Sequence, residues 1–381
     1  MPHWDRRLGA TSLFSDDVLS RLEPLIGKAA KAIRDAVSSS RPIVLRYNND
    51  ADGICGGLSI YRAIMKLKPG YPLLREFQNN SAIYDFGDAS GDLLLLRGIS
   101  ESRPLAILVD FGANVESIEA LKTVHAEGVE VIVIDHHPPC ADALKLIDLF
   151  VSPWAVLGGT SHYCAGLIAG EVAKRMADVE VDGLQRIALA GDRSMLQPFS
   201  EELRRKALAL DYLADTTKPR NTLAKCELAV TDAGKLVETY RQAARKLADA
   251  LGEAKEKTKR MELENGFLIV ITDVVKNVER GTFPPKGKVV GALHDELAAN
   301  EARPLVTIGK GRDSLTFRAN AAAKKAGFNA SKIIDGLKEE LPNAILSGGG
   351  HDAAASLRAD KGFGRIVLDE ALKKIAQIGG R

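Results

Sequence analysis

Four groups of acidic and imidazole residues recur along the chain, each directly after a short apolar run: Asp50 and Asp52, then Asp110, then Asp135-His136-His137, then Asp192. Asp50 and Asp52 stand two apart, so both carboxylates can approach one point from a strand end or the turn after it. If the apolar runs are neighbouring parallel strands, all four groups converge on one crevice. Carboxylates packed together repel unless cations neutralise them. Oxygen ligands with one or two imidazoles suit a hard or borderline divalent ion, Mn2+ or Mg2+ ahead of zinc. Taken singly, an aspartate at a strand end also serves as a helix N-cap or turn residue. The ordered repetition is what points to metal chemistry. No Ser-His-Asp arrangement is evident, and His162, after Ser161, reads as a fold residue or pocket lining.

The elements that must hold these residues alternate. Pro42–Tyr47 runs into NNDADG, Pro104–Val109 into Asp110, and Val129–Ile134 into Asp135, with helix-like stretches Gly57–Lys66 and Val115–Ala126 between them. The pattern predicts an α/β domain whose mostly parallel sheet is covered by helices on both faces. Such sheets bind ligands at the carboxyl ends of their strands, where the polar groups fall here. A helix is expected over Ser15–Val37, capped by Ser15, with Pro24 as an entry point or kink. Another is expected over Gly159–Arg175, and Ile187–Ala190 reads as the apolar run leading to Asp192. Residues 200–265 read as a helical connector, with Lys246–Glu264 a solvated helix. A second, smaller α/β pattern begins near Gly266 and includes an SGGGHDAAA turn. The expected division is therefore 1–199, 200–265 and 266–381.

Composition narrows the field. A chain of 381 residues has room for two or three domains and a large core. A net charge of +2 excludes a chain-wide basic polymer-binding surface. A local one remains, because residues 302–381 carry 14 Lys/Arg against 8 Asp/Glu, a cationic face for a polyanion. There Gly348, Gly349 and Gly350 let backbone N–H groups approach a phosphate closely, and Arg318 offers a bidentate fork. The four cysteines are scattered with no Cys-x-x-Cys pair, which argues against a disulfide framework or a thiolate zinc site. The opening residues are too polar for a signal peptide, and no apolar run reaches the roughly 20 residues of a membrane span. The expectation is a cytoplasmic protein with no membrane partner.

In order, NNDADG (48–53), VDFG (109–112), VIDHHPP (133–139) and AGDRS (190–194) resemble the four motifs of the DHH phosphoesterases. SLTFRAN (314–320) and SGGGHDAAA (347–355) resemble the associated DHHA1 domain. The similarity is greatest to RecJ-like members, especially archaeal ones, which hydrolyse phosphodiesters in single-stranded nucleic acid. It implies a two-metal Mn2+ site, with Mg2+ possible, at which activated water attacks phosphorus and no protein nucleophile is needed. The first ion is implied at Asn48, Asp50 and Asp110. The second is implied at Asp52, Asp110, His136 and Asp192, with Asp110 as the bridge. His137 takes the phosphate-contacting role, Asp135 orients an imidazole, and Arg318 and His351 anchor substrate across an interdomain cleft.

Two departures stand out. Asn48 occupies a slot where the family has histidine, and an amide oxygen is a poorer donor to Mn2+ than imidazole. Ser356 follows the three alanines where the family has glycine. The favoured expectation is an exonuclease acting on single-stranded DNA or RNA, or on short oligonucleotides. The alternatives are a small-nucleotide phosphatase or phosphodiesterase (dinucleotide, cyclic dinucleotide or phosphoadenosine phosphate) and a weakly active or inactive scaffold bound to replication or repair proteins.

Overall fold

The computed structural model describes residues 12–79, 81–96, 102–218, 222–274 and 283–379; the polar opening, residues 1–11, lies outside them. The chain divides into two compact units, residues 1–240 and 241–381.

The first unit runs α1 (Asp17–Ser38), β1 (Ile43–Tyr47), α2 (Ala51–Leu67), β2 (Leu74–Gln78), α3 (Phe86–Leu96), β3 (Leu105–Val109), α4 (Ile118–Ala126), β4 (Glu130–Ile134), α5 (Ala141–Leu144), β5 (Leu149–Val151), α6 (Ala165–Met176), α7 (Asp182–Gly191), α8 (Glu201–Thr216) and α9 (Thr222–Thr231). Helix α10 (Ala233–Glu256) crosses the boundary. The five strands form a wholly parallel sheet in the order β2-β1-β3-β4-β5. Both faces are apolar. Leu45, Tyr47, Ile107, Val109 and Ile134 sit in one core with residues of α1, α2, α6 and α7, while Val44, Leu108, Val131 and Val133 sit in another with residues of α3 and α4. A strand buried on both sides alternates faces yet reads as an unbroken apolar run, which is why these strands were legible. Register then places the chemistry. Tyr47 pairs with Val109 and Val109 with Ile134, so β1, β3 and β4 end level.

Several expectations need correction. Ile187–Ala190 is not a strand but part of α7, because Leu184, Ile187 and Ala188 recur at helical spacing and are buried. Asp192 is therefore a helix C-cap. The N-cap of α1 is Asp16, not Ser15; its carboxylate accepts from Leu19 N. Residues 200–265 do not form one separate connector. Helix α8 lies against α2 and α7, with Ala51 N donating to Asp211 and Gln78 Nε2 to the carbonyl of Ala214, which ties it into the first unit. Near its end that stretch also turns from helix to strand.

That strand is β6 (Thr258–Glu262) of the second unit. The unit continues with β7 (Leu268–Asp273), α11 (Lys286–Ala298), β8 (Leu305–Lys310), β9 (Ser314–Ala319), α12 (Ala321–Lys325), α13 (Ala330–Glu340), β10 (Ile345–Gly350), β11 (Ala354–Ala359) and α14 (Gly364–Ala376). Its sheet runs β10-β11-β9-β8-β7-β6 and is antiparallel except between β7 and β8. The charged, largely exposed β6 is a protected edge, and its composition explains why it looks like a surface helix. The three glycines are likewise strand rather than turn: Gly348, Gly349 and Gly350 pair with Leu357, Ser356 and Ala355. Among the described residues no helix is long and apolar enough to cross a membrane.

Candidate metal centre

Because β1, β3 and β4 end level, the residues that follow them share one layer. Asn48 N donates to Val109 O and Asp110 N to Ile134 O, so the sheet's bonding continues one residue past the strands. Asp110 adopts φ 69°, a left-handed conformation that a non-glycine residue holds only where its surroundings enforce it. Its carboxylate is buried. Oδ2 accepts from Asn48 Nδ2 at 3.0 Å, while Oδ1 has no hydrogen-bond partner.

Asp52 lies in the first turn of α2. Its Oδ2 and Oδ1 accept from Ala165 N at 2.9 Å and Gly166 N at 2.8 Å, the opening amides of α6. Cys164, the N-cap of that helix, caps with no side-chain bond, so those amides go to the carboxylate. A Cβ on Gly166 would stand 2.9 Å from Asp52 Oδ1, so this close approach requires glycine.

His136 is fixed through its other nitrogen. Nδ1 lies 2.7 Å from the carbonyl of Ser161, which makes Nδ1 the protonated nitrogen of the neutral ring. Nε2 stands 3.3 Å from Asp110 Oδ1 and 3.8 Å from Asp52 Oδ2, a donor to these acids when the ring is protonated and a lone pair for a cation when it is neutral. Trp154 Nε1 steadies the same loop by donating to His136 O. Asp135 accepts from the backbone N–H of His136 and His137 and lies 2.8 Å from His137 Nδ1. It orients His137. Asp192 sits 3.7 Å from His136 Nδ1, on the Ser161 side of the ring and away from Nε2.

Electrostatics records the crowding. Burial, then Asp50 and Asp52, push the Asp110 carboxyl well above the usual range; burial also raises Asp52. Burial lifts Asp192 to about 7 despite the nearby imidazoles. Burial would lower both histidines, but Asp192 and Asp110 drive His136 well up and Asp135 holds His137 at about 9. Asp135 stays low: burial would raise it, and His137 and His136 outweigh that.

The two implied ion positions fare differently. Donor atoms of Asp52, Asp110 and His136 all lie within 4.8 Å of one another. Ligands sharing a six-coordinate ion at about 2.1 Å stand roughly 3 to 4 Å apart, so this set fits a cation, and the orphaned Asp110 oxygen supplies the vacant acceptor. On the Asn48 side Oδ1 is likewise buried without a partner, but the amide hydrogens already lie between the two acids. Asn48 Nδ2 donates to Asp50 Oδ2 and Asp110 Oδ2, both at 3.0 Å, and Asp50 Oδ1 caps α2 by accepting from Gly53 N. There the bland role of Asp50, a helix N-cap, is the one observed.

In the second unit Arg318 lies on β9, its Nη1 donating to Phe317 O and its Nη2 to Gly287 O. His351 opens the turn after β10, its N donating to Ala354 O, and Gly349 is exposed with open space where a Cβ would stand. Lys338 Nζ donates to Gly348 O.

Residues 42–189 match the model of the DHH family, N-terminal domain. Over that stretch the chain is similar to this domain. The matched stretch contains Asn48, Asp50, Asp52, Asp110, Asp135, His136 and His137, and Asp192 lies just beyond its end. An uncharacterised protein of Methanocaldococcus jannaschii is 29% identical over 420 residues, covering 93% of this chain and 55% of its own, so the chain spans about half that relative's length. The solved DHH domain of a member of the s1p family of ribosomal proteins is 28% identical with a TM-score of 0.88, covering 97% of this chain and 94% of that one. RecJ of Thermus thermophilus in complex with Mn2+ is 16% identical with a TM-score of 0.59, covering 97% of this chain and 56% of that one. An exonuclease RecJ bound to manganese is 18% identical with a TM-score of 0.54, covering 97% of each chain. These last two share the fold.

Sequence reading missed the residues that position Asp52 and His136: Ser161, Ala165, Gly166 and Trp154. Only the uncapped start of α6 left a trace, a Gly-Gly turn followed by a helix with no acidic residue in its first turn.

Proposed function

We propose that this protein hydrolyses phosphodiesters in single-stranded DNA or RNA, or in short oligonucleotides, with a Mn2+ or Mg2+ ion. The observation that supports it is the buried Asp52–Asp110–His136 cluster, in which an imidazole nitrogen faces two carboxylates that no lysine or arginine neutralises among the described residues. Asp52, Asp110 and His136 would hold the ion. The α6 amides fix Asp52, the Ser161 carbonyl fixes the tautomer of His136, and the negative charge of Asp192 beside Nδ1 makes that ring a stronger donor. Asp135 pins His137 by Nδ1 so that its Nε2 meets a non-bridging phosphate oxygen as a cation. Arg318, His351 and the Gly348–Gly350 strand bind the substrate's phosphates. A divalent ion there supplies Lewis-acid polarisation of a phosphoryl oxygen and a more acidic water for in-line attack. A weakly active, RecJ-like scaffold of a replication or repair complex is the second reading; the use of Asn48's amide hydrogens on Asp50 and Asp110 favours it.

The test is an assay of the purified chain with Mn2+ over DNA, RNA and dinucleotide substrates carrying either end label. Chelator-sensitive shortening of single strands is expected. A clear preference for the dinucleotide would move the protein to the small-nucleotide class, and no turnover on any phosphodiester beside stable binding of a replication protein would establish the scaffold.

A further inference from the structure

Asn48 is 8% exposed, and its side chain is held in one orientation by two carboxylates. Nδ2 reaches Asp50 Oδ2 and Asp110 Oδ2 at the same 3.0 Å distance, which uses both of its hydrogens. Each N–H carries partial positive charge, so the amide does for these two acids what a cation between them would do. Turning the amide over would set its oxygen against both carboxylates and leave its nitrogen without them. That arrangement is tolerable only with a cation in between. Room is also short. A Cβ on Gly53 would come within 2.6 to 2.8 Å of Asn48 O, N and Cβ, so the turn that carries Asn48 is packed against the start of α2. Asn48 Oδ1, turned away from the acids, is buried with no hydrogen-bond partner, as is Asp110 Oδ1 on the far side. What differs is the neighbour: amide N–H groups stand between Asp50 and Asp110, while an imidazole, His136 Nε2, stands 3.3 Å from Asp110 Oδ1.

From this asymmetry we infer that the centre is mononuclear: the amide of Asn48 replaces the first cation of a DHH-type pair, and a single divalent ion binds on the His136 side. A second ion would have to displace both amide hydrogen bonds to reach Asp50 and Asp110, and would gain Asn48 Oδ1 only after the amide inverts. The inference rests on the metal-dependent reading above and makes it more specific.

The test counts ions without using turnover. Full-length protein stripped by chelator is titrated with Mn2+ by calorimetry and electron paramagnetic resonance, for the wild type, Asn48→His and Asn48→Asp. The wild type should take one ion per chain and show the resolved hyperfine pattern of an isolated Mn2+. Either variant removes the donating amide and should take two, with the broadened spectrum of an exchange-coupled pair; Asn48→Asp keeps the side chain's shape if the histidine disturbs folding. Two comparable ions in the wild type, or one ion in every folded variant, would overturn the inference alone. No ion in any of the three proteins would overturn it together with the metal-dependent reading.

Discussion

Strand β1 leads to two buried acidic clusters that solve the same electrostatic problem in opposite ways. At Arg46 the protein supplies its own cation. Nε and Nη2 grip the two oxygens of Asp92 at 2.7 and 2.8 Å, Nη1 reaches Asp88 and Asn79, and the rings of Phe77 and Tyr84 flank the guanidinium. Tyr84 OH adds a donor to Asp92, so both oxygens of that acid are bonded. Just past the end of the strand, Asp52 and Asp110 lie buried. Among the described residues no lysine or arginine is bonded to either, and an oxygen of Asp110 is left without a partner. Buried charge persists when it is paired and hydrogen-bonded. Arg46 closes its cluster into a structural brace, while the acids beside His136 remain open to an ion from solution.

The difference is breakable by mutation. Asp110→Ala should leave the fold intact and abolish both turnover and Mn2+ binding, because that carboxylate faces the imidazole lone pair. Activity that survives, with the ion still bound in calorimetry, would end the assignment. Arg46→Met should act the other way, costing about 3–5 kcal/mol in urea unfolding by stranding Asp92, with no rescue by Mn2+. Adding Asp92→Leu should restore most of that loss, since an apolar pair avoids the desolvation cost. A smaller effect is expected from Asp135→Asn. It weakens the hold on His137 and should lower turnover roughly 10–100-fold while leaving ion stoichiometry unchanged.

How much of this the sequence disclosed follows from what each feature depends on. Strands β1, β3 and β4 were visible because burial on both faces leaves continuous apolar runs, and the acids at their ends stood out for the same reason. Strand β2, LREFQ, was not, since an edge strand with charged side chains lacks that signature. Asp192 was found as a site residue but hung on the wrong kind of element, because four apolar residues before an acid fit a strand and a helix end equally well. Ser161, Ala165 and Gly166 contribute backbone atoms, and a backbone carbonyl or amide carries no residue-type signal at all. The dual hydrogen bond of Asn48 lies in the same class. Its position was noted from the motif, yet which end of the amide meets the acids is a matter of three-dimensional placement.

The mildest prediction concerns pH and separates the two clusters without mutation. Asp192 titrates near 7 in the folded chain against 3.8 for the free side chain, and His137 near 9 against 6.5. Both groups hold a proton more tightly folded than unfolded, so both stabilise the fold at low pH. The Asp192 share is complete below about pH 4 and lost as pH rises through 7; the His137 share is complete below about 6.5 and lost through 9. Metal-free protein should therefore melt on the order of 5 °C lower near pH 8.5 than near pH 5.5. Mn2+ should close that gap by raising Tm more at the higher pH, because Asp52, Asp110 and His136, whose pKa values are also raised, take an ion only as they lose their protons. Arg46 stays charged across this whole range and adds no such slope of its own. Equal melting of the stripped protein at both pH values would mean that the His136 cluster carries no uncompensated charge, and the distinction between an open and a closed acidic cluster would fall with it.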